Sequence, residues 1–156
     1  MSIEKVRAHF DALGIAERIL EFDVSSATVE LAAQALGVEG KRIAKTLSFL
    51  VGENCVLVVA AGDARIDNAK FKAFFRVKAK MLPHDAVPEY IGHAVGGVCP
   101  FAVKDGVDVY LDKSLQRFDT VFPACGSSNS AIELTIEELE RYSGFSEWVD
   151  VSKDWN

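Results

Sequence analysis

Disulfides, metal centres and membrane spans all have little to be built from in this sequence. It carries three cysteines among 156 residues, Cys55, Cys99 and Cys125. An odd number with no short spacing argues against a disulfide framework and against a thiolate zinc site. The three histidines, His9, His84 and His93, show no His-x-x-x-His spacing, so no structural metal is expected. No run approaches the roughly 20 apolar residues that span a bilayer. The longest, 56–61, has the length of a buried strand. There is no Gly-x-Ser-x-Gly elbow and no Gly-x-x-x-x-Gly-Lys phosphate loop, and Gly92 and Gly96 are too loosely patterned for a dinucleotide site. The N-terminus opens directly on an amphipathic pattern, Ile3, Val6, Phe10, Leu13, with no signal-peptide apolar region, which predicts a cytoplasmic protein without a membrane partner.

What is present is ordinary globular material: 49% hydrophobic and 26% charged, enough for a core and a length that suits one domain over 1–156. The net charge of −6 argues against a strong non-specific nucleic-acid binder, and no DNA partner is expected. The charge is uneven, however. Arg65, Lys70, Lys72, Arg76, Lys78 and Lys80 face only Asp63 and Asp67 in the same stretch, whereas the last 25 or so residues are mostly acidic. A basic face on an acidic protein is compatible with gripping the end of an RNA; it is equally what a solvated helix face looks like.

The pattern predicts a helix over 2–13 with Ser2 as N-cap and Gly14 as stop, a short strand over 18–22, and a helix capped by Thr28 and ended by Gly37. A further helical turn is expected over 41–44. Strands over 46–51 and 55–61 flank Gly52-Glu53-Asn54, a hairpin signal. Asp67 can cap a helix turning Phe71, Phe74 and Phe75 inward, followed by an edge strand over 77–81 and a short helix over 83–90. Strands are expected over 107–111, 120–124 and 131–134, with a short turn over 115–118. Thr135 and Glu138 form a capping box for a last helix, and the tail 148–156 could fray or dock through Trp148 and Trp155. Strands and helices do not alternate regularly, so the fold class is a mixed α+β domain, not a doubly wound parallel sheet.

Three places could carry chemistry. Lys45 sits where a helical turn runs into a strand, and its ammonium could enter a cleft and hold a phosphate, a carbonyl or a developing oxyanion; it could also be a surface lysine. The loop Val95-Gly96-Gly97-Val98-Cys99-Pro100-Phe101 has paired glycines that let a ligand approach the backbone, successive N–H groups that can form an anion-binding concavity, and a stiff exit; a plain glycine turn is the alternative. The loop 124–131, with Cys125, Ser127, Ser128, Asn129 and Ser130, could line a pocket for a small side chain or a ribose, or be a solvated connection. A thiol nucleophile would need His93 or His84 beside Cys99 or Cys125, and no signature supports one.

These anchors together resemble the YbaK family, which shares its fold with the editing insertion of bacterial prolyl-tRNA synthetases. The resemblance runs over roughly 3–143 and rests on Thr28-Val29-Glu30-Leu31-Ala32-Ala33-Gln34-Ala35-Leu36-Gly37-Val38, Ile43-Ala44-Lys45-Thr46-Leu47, Ala61-Gly62-Asp63-Ala64-Arg65-Ile66-Asp67, Gly96-Gly97-Val98-Cys99-Pro100-Phe101 and Ala131-Ile132-Glu133-Leu134. It implies a mixed, partly closed β-barrel of about seven strands surrounded by helices. It implies an aminoacyl-tRNA deacylase that hydrolyses the ester of mischarged tRNA(Pro) carrying a small amino acid such as alanine or cysteine. It also implies that no cofactor is needed, since that ester is already activated. Lys45 falls on the family's essential lysine, and Gly96 and Pro100 on its Gly-x-x-x-Pro loop. A position often filled by histidine in the synthetase insertion falls near Asn129; without it, proton handling passes to water, the substrate or the terminal ribose.

On that resemblance Lys45, Gly96 and Gly97 are the expected catalytic residues. Thr28, Val98, Cys99, Pro100, Ser128 and Asn129 are the expected substrate contacts, and Arg65, Lys70 and Lys72 the expected RNA contacts. The expected partners are the aminoacyl-tRNA acceptor end and an aminoacyl-tRNA synthetase that could deliver substrate, with the chain a monomer or homodimer. The rival readings are a non-catalytic tRNA- or synthetase-binding module of the same fold, a thiol enzyme using Cys99, and a small-molecule binding domain.

Overall fold

The computed structural model describes residues 2–93 and 96–155, and of Ser2 only its place in a helix. The expected Ser2 cap and the Val95 start of the glycine loop therefore lie outside the described residues. The elements follow in the order α1 (Ser2–Ala12), β1 (Leu20–Glu21), α2 (Val29–Leu36), β2 (Ile43–Val51), β3 (Asn54–Ala61), β4 (Arg65–Ile66), α3 (Asn68–Phe75), α4 (Val87–Ile91), β5 (Asp108–Asp112), β6 (Thr120–Pro123), β7 (Ser130–Ala131), β8 (Leu134–Thr135), α5 (Ile136–Ser143), β9 (Glu147–Val149) and β10 (Ser152–Lys153). No helix among the described residues is long and apolar enough to cross a membrane.

Six strands form one curled, half-barrel sheet in the order β8-β6-β2-β3-β5-β9, with β1-β7 and β4-β10 as separate two-stranded ribbons. The mixed α+β class is that expected from the sequence. The β2–β3 hairpin pairs Val51 with Asn54 around Gly52, whose φ of +64° only glycine adopts freely. β3 is buried along 55–61 because core lies on both faces of the sheet. Leu57, Val59 and Ala61 face a large core shared with Val6, Phe10 and Phe101, while Val56 and Val58 face a second one with Phe49 and Phe71.

Several elements differ from the pattern-based expectation. The strand over 18–22 shrinks to a 3₁₀ turn, Ala16–Arg18, plus the two residues of β1. The turn expected over 41–44 is 3₁₀, Gly40–Arg42, and Ala44 already belongs to β2. The edge strand over 77–81 reduces to one bridge, Phe49 to Met81. The strand over 131–134 divides into β7 and β8, because Ile132 N–H turns to the Pro123 carbonyl (3.0 Å) between them. Phe74 stays 39% exposed beside the buried Phe71. The tail is not frayed: Trp148 lies in β9, and the Trp155 indole donates to Ser152 Oγ (2.8 Å).

One irregularity positions the site. On its outer edge β2 meets β6 only at Ile43 and Ala44. Farther along the same edge, Leu82 N–H reaches the Ser48 carbonyl (3.0 Å) and Leu50 N–H reaches the Lys80 carbonyl (2.9 Å). The sheet is open between. Alternate residues of an antiparallel strand turn both main-chain groups to the same side, so Thr46, in step with Ser48 and Leu50, turns its N–H and C=O into the gap.

Candidate active site

The gap opens into a cavity of about 320 Å³, at the small end of the range for ligand pockets. Lys45, Thr46 and Leu47 come from β2, Thr28 and Val29 from the start of α2, and Gly96 and Val98 from the loop after α4. Ala32, Ile43 and Phe122 form a small apolar cluster that walls one side, and the rim carries the exposed Met81 and His84. Lys45 and the glycine loop thus border the same space, although about fifty residues separate them.

Lys45 is half-buried. Its ammonium donates to the carbonyl of Ala64 and, at 3.4 Å, to that of Gly62. Burial lowers its pKa, and the Asp63 carboxylate opposes that shift. The turn that offers these carbonyls can pass only as glycine at position 62: a Cβ there would stand 2.0 Å from the Gly40 carbonyl oxygen and 2.8 Å from Val29 Cγ1. Asp63 at its tip is held by Arg117 in a two-pronged pair (2.6 and 3.1 Å), and that guanidinium holds the Asp63 carboxyl below the usual carboxylate range.

The glycine loop is built by close backbone approach. A Cβ on Gly97 would stand 2.5 Å from the Gly126 carbonyl carbon and 2.6 Å from Ser127 N, so the two small-residue loops pack main chain against main chain. Gly96 has φ +88°, and a Cβ on it would meet the Cβ atoms of Ala27 and Ser128 at 3.4 Å. Ser128 and Asn129 tie this platform to the chain before α2. The Ser128 carbonyl accepts from Ser26 N (2.6 Å), and Asn129 Nδ2 donates to the Phe22 carbonyl (3.0 Å).

Of the residues expected from sequence, Thr28, Lys45, Gly96 and Val98 border the cavity, whereas Gly97, Cys99, Pro100, Ser128 and Asn129 do not line it. Thr28 also spends its hydroxyl on capping α2, accepting from Leu31 N (3.1 Å). Cys99 is fully buried, with Sγ 3.6 Å from His93 Nε2. The pairing a thiol nucleophile would want is present, but His93 Nε2 is also 2.6 Å from the Phe101 carbonyl, which can only accept, so that nitrogen carries the proton and is no base toward the thiol. Burial pushes the Cys99 thiol up to about 12 and lowers His93.

Of the basic residues, Arg65 and Lys72 are exposed, while Lys70 donates to Asp150 (3.1 Å) and to the Ser152 carbonyl (2.9 Å). Ser130, in the 124–131 loop expected to line a pocket, does border the cavity; sequence reasoning did not single out Ser48, which also borders it, or Thr46, whose hydroxyl is buried with no partner among the described residues. Thr46 falls within the segment 43–47 that carries the family resemblance; no spacing marks Ser48.

A family model of the aminoacyl-tRNA editing domain matches residues 23–142. The chain is 54% identical over 156 residues to the uncharacterized protein YwhH of Bacillus subtilis (strain 168), covering 99% of each. It is 30% identical over 139 residues to a proline–tRNA ligase of Thermosipho melanesiensis, covering 86% of this chain and 24% of the ligase, so it spans about a quarter of that protein's length. Among solved structures it is similar, at a TM-score of 0.86 and 27% identity over 97% of both chains, to a protein described as a proposed trans-editing enzyme for prolyl-tRNA synthetase.

Proposed function

From the premise that the chain belongs to the aminoacyl-tRNA editing domain family, we propose that it is a free-standing deacylase, hydrolysing the ester between a small amino acid and the 3′ end of a mischarged tRNA. The observation that carries this reading is the convergence of Lys45 with Gly96 and Val98 of the glycine loop on one small cavity. In the proposed reaction a water attacks the ester carbonyl carbon, the carbon–oxygen bond to the ribose breaks, and the ribose oxygen leaves with a proton. The ester is already activated, so this chemistry asks mainly for a place where negative charge is welcome. N–H groups of the glycine loop and the Lys45 cation would supply it. Gly62 and Ala64 occupy two of the ammonium's three donors, leaving one for substrate. A cation so held positions and polarises; it is a poor general base.

We infer a preference for alanine-, serine- or cysteine-sized side chains, with larger ones excluded by shape, since preference alone is worth only about 1–3 kcal/mol per methylene. We take residues 1–156 to act as one cytoplasmic domain. The similarity to a proline–tRNA ligase and to the proposed trans-editing enzyme makes tRNA(Pro) the first substrate to try and a synthetase the natural carrier of it. The test is a deacylation panel of alanyl-, cysteinyl-, seryl- and threonyl-tRNA with wild type and Lys45→Ala. Wild type should clear at least one ester, and Lys45→Ala should be slower by about 100- to 1,000-fold, the usual loss when a charge-stabilising donor is removed. A wild type inert on the whole panel, or a variant as fast as wild type, overturns the reading. Binding without hydrolysis would leave the non-catalytic module.

A further inference from the structure

The C-terminal residues lie beyond the family match, which ends at 142, and the ester chemistry makes no use of them. β10 pairs antiparallel with β4 in a register that sets Lys153 directly opposite Arg65. Directly opposed residues share one face with Cβ atoms ~5 Å apart, and like charges so placed repel. Both side chains are exposed, and among the described residues neither enters an ion pair. The Asp67 carboxylate, which feels the Lys153 charge, takes its hydrogen bonds from Ala69 N and Lys70 N at the start of α3. A protein of net charge −6 thus keeps two cations face to face, with no ion pair to either among the described residues.

The ribbon that carries them is firmly held. Val151 N (2.9 Å) and Ser152 Oγ (2.5 Å) donate to the fully buried Asp112 carboxylate, Asp67 N donates to the Val151 carbonyl (2.8 Å), and Lys70 to that of Ser152. The ribbon is joined to the site through the chain: Arg65 follows Ala64, whose carbonyl receives the Lys45 ammonium.

We propose that Arg65 and Lys153 form a phosphate clip next to the turn that holds Lys45, contributed jointly by β4 and β10, that grips the sugar-phosphate backbone of the tRNA acceptor end. A phosphate between them removes the repulsion and takes hydrogen bonds from the guanidinium fork and the ammonium together. The clip rests on the tRNA-ester reading and extends it to a segment outside the family match.

The test uses the full chain with Arg65→Ala, Lys153→Ala, the double variant and Lys153→Arg. Uncharged tRNA is titrated by fluorescence anisotropy over a range of salt, and hydrolysis is followed on mischarged tRNA and on an aminoacyl-adenosine that has no phosphate. Circular dichroism melting shows that each variant folds. The double variant should bind tRNA about tenfold more weakly at low salt, with the slope of log K against log salt smaller by about 1–2. Its loss on mischarged tRNA should fall on KM, aminoacyl-adenosine should be hydrolysed as by wild type, and Lys153→Arg should retain affinity. Unchanged affinity and salt slope in a folded double variant overturn the clip, as does an equal loss on aminoacyl-adenosine. If wild type hydrolyses no ester while the double variant still loses tRNA affinity, the clip stands and the deacylase reading fails. If wild type hydrolyses esters and the double variant binds tRNA like wild type, the clip alone fails.

Discussion

Cys99 shows how little a residue type says without its surroundings. A thiol 3.6 Å from an imidazole invites assignment as a nucleophile. Complete burial, a thiol pushed up to about 12 and a histidine committed to the Phe101 carbonyl leave it a packing residue. Cys99→Ala should therefore keep kcat/KM on the preferred mischarged tRNA within about twofold, while losing about 1 kcal/mol of stability in urea titration, the usual cost of a small core truncation. A hundredfold loss of activity in a variant of near-normal stability would revive the thiol mechanism. Lys45 is the opposite case. Its place at the start of a strand was legible, because the sequence around 43–47 reads as turn into strand and the family resemblance marks the residue. Its partners were not legible: the Gly62 and Ala64 carbonyls are main chain, and no side-chain identity announces them. Thr46 escaped notice for a related reason. What makes its hydroxyl unusual is the lack of a partner among the described residues, at the place where β6 leaves β2.

Elements whose ends are written in local chemistry were the most legible. Thr28 and Gly37 bound α2, Asp67 starts α3, and the Thr135–Glu138 capping box starts α5, each with the hydrogen bonds its sequence implies. The segments over 77–81 and 131–134 were misjudged because their pairing depends on distant chain: Met81 bridges to Phe49, and Ile132 turns to Pro123. The α5 cap also makes a pH-dependent contribution. Glu138 accepts from both prongs of Arg18 (2.7 and 3.1 Å) and from Thr135 N (2.9 Å), which lowers its pKa to about 2, the Arg18 hydrogen bond first among the causes. Because the folded value lies below the unfolded one, the charged form stabilises the fold above about pH 4.5, and this contribution disappears as the pH falls toward 2. Glu138→Gln should cost about 1–2 kcal/mol at pH 7, after allowing for solvent screening of a partly exposed pair, and the difference from wild type should shrink steadily below pH 4. A cost in chemical denaturation that stays constant from pH 7 to pH 2.5 would show that shape, not charge, matters at the cap.

At the scale of the whole molecule, the site exists because the sheet is incomplete on one edge of β2, and the chain's far end is tied to that same region. Asp112, at the end of β5, is fully buried and accepts from Ser114 N (3.0 Å), Val151 N and Ser152 Oγ. Ser114 Oγ in turn accepts from Ala61 N (3.0 Å), one residue before the Gly62–Ala64 turn that holds Lys45. One carboxylate therefore links the tail ribbon, the turn after β5 and the end of β3. An acidic side chain at the end of a predicted strand reads as a surface residue, so this role could not be seen in the sequence; it appears only when 112, 114 and 151–152 meet. Asp112→Ala would leave three donors without their acceptor, two of them buried main-chain N–H groups. The expected cost is about 2–4 kcal/mol in chemical denaturation. Ser152→Ala removes one donor and leaves the carboxylate satisfied by the other two, so about 1 kcal/mol is expected. Because β10 should loosen first in Asp112→Ala, its tRNA affinity should fall toward that of Lys153→Ala under conditions where most molecules remain folded. If Asp112→Ala costs no more than Ser152→Ala and binds tRNA like wild type, the tail is held by other contacts and the carboxylate is not the joint between ribbon and cavity.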